Sequence, residues 1–181
     1  RKFKIKKLSY QVNGKVDFCE LQLNETNLIK QYLPNYNNLI FLKDTSITYE
    51  KNNFDHEMEL NGLMKIDSEF DKFIINKKYN HQKNIFDIFA DLNLTNANVT
   101  IPKLNFNKKK HLDANLQIET NFNIKKYYNI KSLNFTSNKS KLLFSNLKLN
   151  EKFKVDNFKS IEAKTFLNDK LNNDFKINNK E

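Results

Sequence analysis

From Leu112 to Ile124 the chain reads Leu-Asp-Ala-Asn-Leu-Gln-Ile-Glu-Thr-Asn-Phe-Asn-Ile, with every even position apolar except Thr120 and every odd position polar. A period of two sends successive side chains to opposite faces of an extended chain, so the stretch predicts a strand with one buried face and one wet face. Leu92 and Leu94, then Ala97, Val99 and Ile101, then Leu104 and Phe106 repeat the rhythm just upstream in three short pieces, separated by Asn-rich joints and Pro102.

The same rhythm runs along most of the chain. Ile47 and Tyr49, then Met58, Leu60, Gly62, Met64 and Ile66, then Phe73 and Ile75 each read as strands. Ile85 to Leu92 fits either a helix or a strand; the match of Phe86, Ile88, Ala90, Leu92 and Leu94 to a two-residue period selects the strand. In the first segment, Phe3, Ile5, Leu8 and Tyr10 and then Val16, Phe18, Leu21 and Leu23 flank Asn13-Gly14, the residue pair that favours a tight hairpin turn. Each half contains one step of three, which predicts a bulge or bend. Tyr128, Ile130, Leu133 and Phe135 with Leu142, Phe144, Leu147 and Leu149 reproduce this spacing, so residues 1–23 and 126–150 are candidate repeat units.

One segment changes period. Asn24 as an N-cap, Glu25 in the first turn and Leu28, Ile29, Tyr32 and Leu33 on one face predict a short helix over residues 24–33, stopped by Pro34. With 2 glycines and 2 prolines in 181 residues, turns must rest on Asn, the residue that best tolerates the left-handed region after Gly. About ten to twelve strands with short connections predict a mainly β fold, an antiparallel meander in a single β-rich segment of a larger protein.

No chemistry-bearing motif accompanies this pattern. Cys19 is the single cysteine and sits between Phe18 and Leu21 as a small hydrophobe, while His56, His81 and His111 stand far apart with no metal-ligand spacing. Asp67, Glu69 and Asp71 beside Lys72 read as a solvated turn. No Ser/His/Asp order or glycine-rich phosphate loop is present, so the reading is non-enzymatic and without a cofactor. The net charge of +10 comes from lysines spread along the chain with a single Arg, a composition that A+T-rich coding produces, and nucleic acid is not expected as a partner.

Nearly every strand has one oily side, and one short helix cannot cover them all. Each Leu, Ile or Phe left in water forfeits about 1.5–3 kcal/mol, so the face needs a cover. A second sheet would make a sandwich, self-closure a barrel, and an open, groove-like or taco-shaped sheet would hold a row of lipid chains. Strands of only four or five residues speak against a membrane-spanning barrel, whose strands run to about nine to eleven.

The run Asp91-Leu92-Asn93-Leu94-Thr95-Asn96-Ala97, followed by a short strand to Pro102, Leu104 and Phe106-Asn107-Lys108 and then by a strand that opens Ala114-Asn115-Leu116, resembles the AsmA-like envelope proteins, in their YhdP- and TamB-related branch. The resemblance is best over residues 86–149. The family usually has Gly after the Lys, where Lys109, Lys110 and His111 stand here, and often Trp at the place of Phe106. The resemblance implies a periplasmic segment of a long protein of a Gram-negative bacterium, tethered to the inner membrane by an anchor outside these residues. It implies an apolar β-groove that passes phospholipid acyl chains between membranes in outer-membrane assembly. On alternation, Leu92, Leu94, Leu112, Leu116, Ile118 and Phe122 are the candidate groove lining. The rival readings are a structural or adhesive β-repeat with a sealed core, and a basic module for nucleic acid or glycan.

Overall fold

The computed structural model describes residues 8–23, 27–123, 127–151 and 154–179. The chain is mainly β. It forms strands β1 (Ser9–Gln22), β2 (Leu39–Asn52), β3 (Asp55–Lys65), β4 (Phe70–Asn80), β5 (Ile85–Asn93), β6 (Val99–Ile101), β7 (Phe106–Lys108), β8 (Ala114–Asn123), β9 (Tyr127–Ser137), β10 (Ser140–Leu149), β11 (Val155–Asn157), β12 (Ser160–Leu167) and β13 (Lys170–Asn178). Helix α1 (Asn27–Tyr32) joins β1 to β2, and a 3-10 turn (Pro102–Leu104) joins β6 to β7.

Eleven strands form one antiparallel sheet in the order β1-β2-β3-β4-β5-β8-β9-β10-β12-β13, with β11 pairing to β10. It is the expected meander, left open: β1 and β13 are its two edges and do not pair with each other. The ten strands along the meander are longer than four or five residues, from 8 in β12 to 14 in β1 and β2, while β6, β7 and β11 have 3 each. Strand length therefore does not exclude a barrel; the unclosed order does.

Sequential pairing breaks between β5 and β8, where β6 and β7 leave the sheet as a small hairpin of their own, and again at β11, which pairs with β10 beside β12. The hairpin packs back on the sheet: β7 touches β12 and α1 touches β6. Between hairpin and sheet lies the core, in which Leu94, Ala97, Val99 and Phe106 meet Ala114, Phe135, Leu142 and Ala163 from the strands.

Two local expectations are corrected. Asn13-Gly14 makes no turn, because β1 runs straight through it with Asn13 opposite Thr48 and Gly14 opposite Ile47, and neither residue has a positive φ. The long antiparallel register with β2 outweighs the local turn preference. Residues 9–22 are thus one strand, whereas β9 and β10 form the hairpin of the other candidate unit; Arg1 to Lys7 lie outside the described residues. The helix ends at Tyr32, which points out, 40 % exposed, and Leu33 just beyond it packs on the core. The cap expected at Asn24 and Glu25 lies outside the described residues, as does the side chain of Leu28.

The turn chemistry follows the sequence. Among the described residues ten non-glycine positions have positive φ and seven of them are Asn, including Asn38, Asn53, Asn84 and Asn138 at strand ends. Asn146, at φ 50°, sits inside β10 where the apolar pattern steps from Phe144 to Leu147, opposite the matching step from Ile130 to Leu133 in β9. The step in β9 is a bulge against β8, where the register shifts between Glu119 and Thr120, while β9 and β10 keep register with each other across both steps.

Candidate ligand-binding floor

Register lines up one apolar position from each of nine main strands, and Gly14 from the tenth, on one face. Gly14 pairs with Ile47, Ile47 with Leu60, Leu60 with Ile75 and Ile75 with Ala90. Ala90 then pairs with Ile118, Ile118 with Leu133, Leu133 with Phe144, Phe144 with Ile161 and Ile161 with Ile177. A single slip of one residue in any strand would turn that strand's apolar set to the other side, so the row is fixed by every pairing at once. Its side chains from Ile47 to Ile161 are half-buried, and Ile177 on the edge is 49 % exposed.

Parallel rows flank this one. Toward the small hairpin, Phe73, Leu92, Leu116, Phe135, Leu142, Ala163 and Phe175 follow one another across β4 to β13. This is the row that the hairpin and α1 cover; Phe73, Phe135 and Ala163 are buried in it. Away from the hairpin come Tyr49, Met58, Lys77, Ile88, Thr120, Ile130 and Leu147, and beyond them Tyr10, Lys51, His56, Tyr79, Phe86, Phe122 and Tyr128. The last row is an aromatic ladder: Tyr79 lies 4.5 Å from Phe86, Phe86 5.2 Å from Phe122 and Phe122 5.8 Å from Tyr128, centroid to centroid.

The six predicted lining residues therefore separate. Leu92 and Leu116 lie in the covered row, Ile118 in the open row beside it and Phe122 in the aromatic ladder. Leu94 is buried in the core between hairpin and sheet, 4 % exposed. Leu112 is not on the floor: β8 begins at Ala114, and Leu112 stands in the preceding turn, 42 % exposed. The alternation continues into that turn without the extended backbone that gives it meaning. The uncovered positions Ile75, Ile88 and Leu60 were legible as apolar in the sequence, but only the pairing register aligns them with Ile118.

The cap is held by a buried lysine that the sequence did not single out. Lys108, 1 % exposed, donates to the carbonyls of Leu94, Thr95 at 2.7 Å and Ala97 at 2.8 Å, closing the loop that leads from β5 to β6. Burial pulls its pKa down from 10.5, and the charges of Asp71, Asp113 and Asp67 oppose that pull. Asp67 and Asp71 are not a solvated turn. Asp71 accepts from Asn96 N at 2.9 Å and Asn96 Nδ2 at 3.1 Å, and Asp67 from Asn98 Nδ2 at 3.0 Å and Asn35 Nδ2 at 2.8 Å. Burial raises the Asp71 carboxyl above 3.8, against the lowering effect of its Asn96 bonds and of Lys108.

The opposite face of the sheet is mixed: it carries the charged Glu50, Glu57, Lys78, Asp87, Glu119 and Lys131 and, among them, the apolar Phe70, Ile74 and Phe89. A shallow cleft of about 700 Å³ is lined partly by Glu50, Glu57, Lys78 and Asp87 of that face. No group of three or more His, Cys, Asp or Glu among the described residues is placed to hold a metal, and no helix among them is long and apolar enough to cross a membrane. Neither a protein-family model, nor a curated protein, nor a solved structure matches the chain.

Proposed function

We propose that this chain is a non-enzymatic β-groove segment along which phospholipid acyl chains pass, in a periplasmic protein anchored in the inner membrane and serving outer-membrane assembly. The observation that carries the reading is the ten-strand row from Gly14 to Ile177, apolar from Ile47 onward, in which Leu133 and Phe144 pack against the core and Ile47, Leu60, Ile75, Ala90 and Ile118 are half-buried outside it. An acyl chain needs a continuous apolar surface and specifies little else, because the burial of CH₂ groups, about 0.8 kcal/mol each, is non-directional. The likeness of residues 91–116 to AsmA-like proteins supports the envelope location and the anchor outside these residues.

A structural or adhesive module with a sealed core is the second reading, favoured by the cap over Leu94 and Phe135. A photoreactive benzoylphenylalanine at position 118, on the floor, and at position 117, on the opposite face, separates the two. With phospholipid vesicles, cross-linking of lipid at 118 but not at 117 is the expected outcome. Equal yields at both positions, or none at either, would leave the sealed module as the reading.

A further inference from the structure

Beyond the part that the hairpin covers, where Asp71 stands, the floor carries three basic side chains at its far end. Lys51 and His56 stand opposite each other in the aromatic ladder, and Lys77 stands between Met58 and Ile88 in the adjoining row. The Lys77 ammonium lies 5.0 Å from the centroid of Phe86, and His56 lies between Tyr49 at 6.0 Å and Tyr79 at 5.0 Å. In these two rows no acidic side chain alternates onto the same face, since Glu50, Glu57, Lys78 and Asp87 all point to the other side. Among the described residues neither Lys51 nor Lys77 makes a salt bridge. Of the hydroxyls in these rows, that of Thr120 already donates to Asn129 O at 2.9 Å and that of Tyr79 to Asn84 Oδ1 at 3.2 Å.

We propose that Lys51, His56 and Lys77 form a subsite for the phosphate headgroup of a membrane lipid whose alkyl chain lies on the row of Ile75, Ala90 and Ile118. The inference rests on the floor reading above and adds a polarity to it. A lysine placed on an otherwise apolar face gains nothing from its neighbours except the cation–π attraction of Phe86, and an anion brought with an apolar tail satisfies both surfaces at once. At the opposite end the small hairpin and α1 close the floor, so the tail points toward the sealed core and the headgroup toward the ladder. The Tyr10, Tyr49 and Tyr79 rings suit that boundary, having an apolar body and a polar tip.

Calorimetry with decyl phosphate and with uncharged decyl maltoside, both below their micelle concentrations, tests the assignment. Decyl phosphate is expected to bind more tightly, and the double variant Lys51→Gln/Lys77→Gln to weaken it by about tenfold while leaving decyl maltoside unchanged. The double variant Lys72→Gln/Lys148→Gln, which removes the same charge from the opposite face, leaves both affinities as they were. Equal affinity of the two amphiphiles, or an equal loss in both double variants, overturns the subsite and leaves the floor standing. Failure of both amphiphiles to bind overturns subsite and floor together. Displacement of decyl phosphate by inorganic phosphate at the same concentration overturns the assignment to a lipid.

Discussion

Gly62 in β3 lies against Thr45 in β2 so closely that a Cβ on Gly62 would stand 2.6 Å from the Thr45 Cα. Thr45 is fully buried where β2 bulges between Lys43 and Ser46, and its hydroxyl donates to Lys43 O at 3.2 Å. The bulge pushes backbone inward, and only a residue without a side chain leaves room for it. Gly62→Ala is therefore expected to cost about 1–3 kcal/mol by overpacking. Gly14, whose added Cβ would meet nothing within 4 Å, gives the control. Gly14→Ala is expected to be neutral or to gain up to about 1 kcal/mol through the unfolded chain. Urea unfolding of both variants reads the difference, and similar losses in the two would refute the close-packed bulge.

The Lys108 staple predicts a large penalty and a pH dependence. Lys108→Met keeps the length and takes a charged donor from three carbonyls of the β5–β6 loop, of which Leu94 O keeps Ala97 N and Thr95 O keeps His111 N, at a cost of about 3 kcal/mol. Asp71 supplies the pH signature. Its folded-state pKa lies above the unfolded value of 3.8, so the folded chain holds the extra proton between the two. Its contribution is full below 3.8 and is lost as pH rises through the folded pKa. Relative to Asp71→Asn, the wild-type chain is expected to gain stability as pH falls through that window. A stability difference that stays flat from pH 7 to pH 3 would contradict the burial of this carboxyl.

How much of this was legible in the sequence depends on range. The period of two in Leu112 to Ile124 identified a strand because alternation is a local property. It could not say that Leu112 falls in a turn, since the two residues that leave the strand carry the same pattern. The bulge of β9 against β8 was readable from the step at Ile130, which interrupts the period. The Asn13-Gly14 hairpin was a wrong local reading, because the pairing of β1 with β2 is set by residues some 30 positions away. Lys108 was quoted as part of a motif without a role, and its role exists only when Leu94, Thr95 and Ala97 curl back around it. The floor itself was half legible: its residues could be named as apolar, but not which of them the hairpin covers.

His111 occupies the left-handed region at φ 64°, and its N–H donates to Thr95 O at 2.8 Å, fixing the loop that follows Lys108. His111→Gly is expected to raise stability by up to about 1 kcal/mol, because the strain of a Cβ at positive φ is relieved. His111→Val, β-branched, should lower it by at least as much. The 3.9 Å approach of the imidazole to Glu69 joins two exposed groups and is worth little. Thermal unfolding of the two variants reads the ordering directly; a Gly variant less stable than wild type would show that the side chain, not the backbone, holds the loop.

The difference between the covered and the open rows is itself measurable. Phe135, 5 % exposed, is wedged edge-on to Phe106 of the cap at 5.8 Å, so Phe135→Ala opens a cavity and is expected to cost about 3–5 kcal/mol. Ile118 stands on the next row of the same face, half-buried and two residues from Leu116, with no part of the small hairpin packed on it. Truncation there removes contacts already shared with water, and Ile118→Ala should cost about 1 kcal/mol or less. Ile118→Glu should leave the chain folded yet abolish the uptake of an apolar dye such as N-phenylnaphthylamine. If Ile118→Ala proved as costly as Phe135→Ala, the open row would have to be sealed in solution, and the floor would be ordinary core.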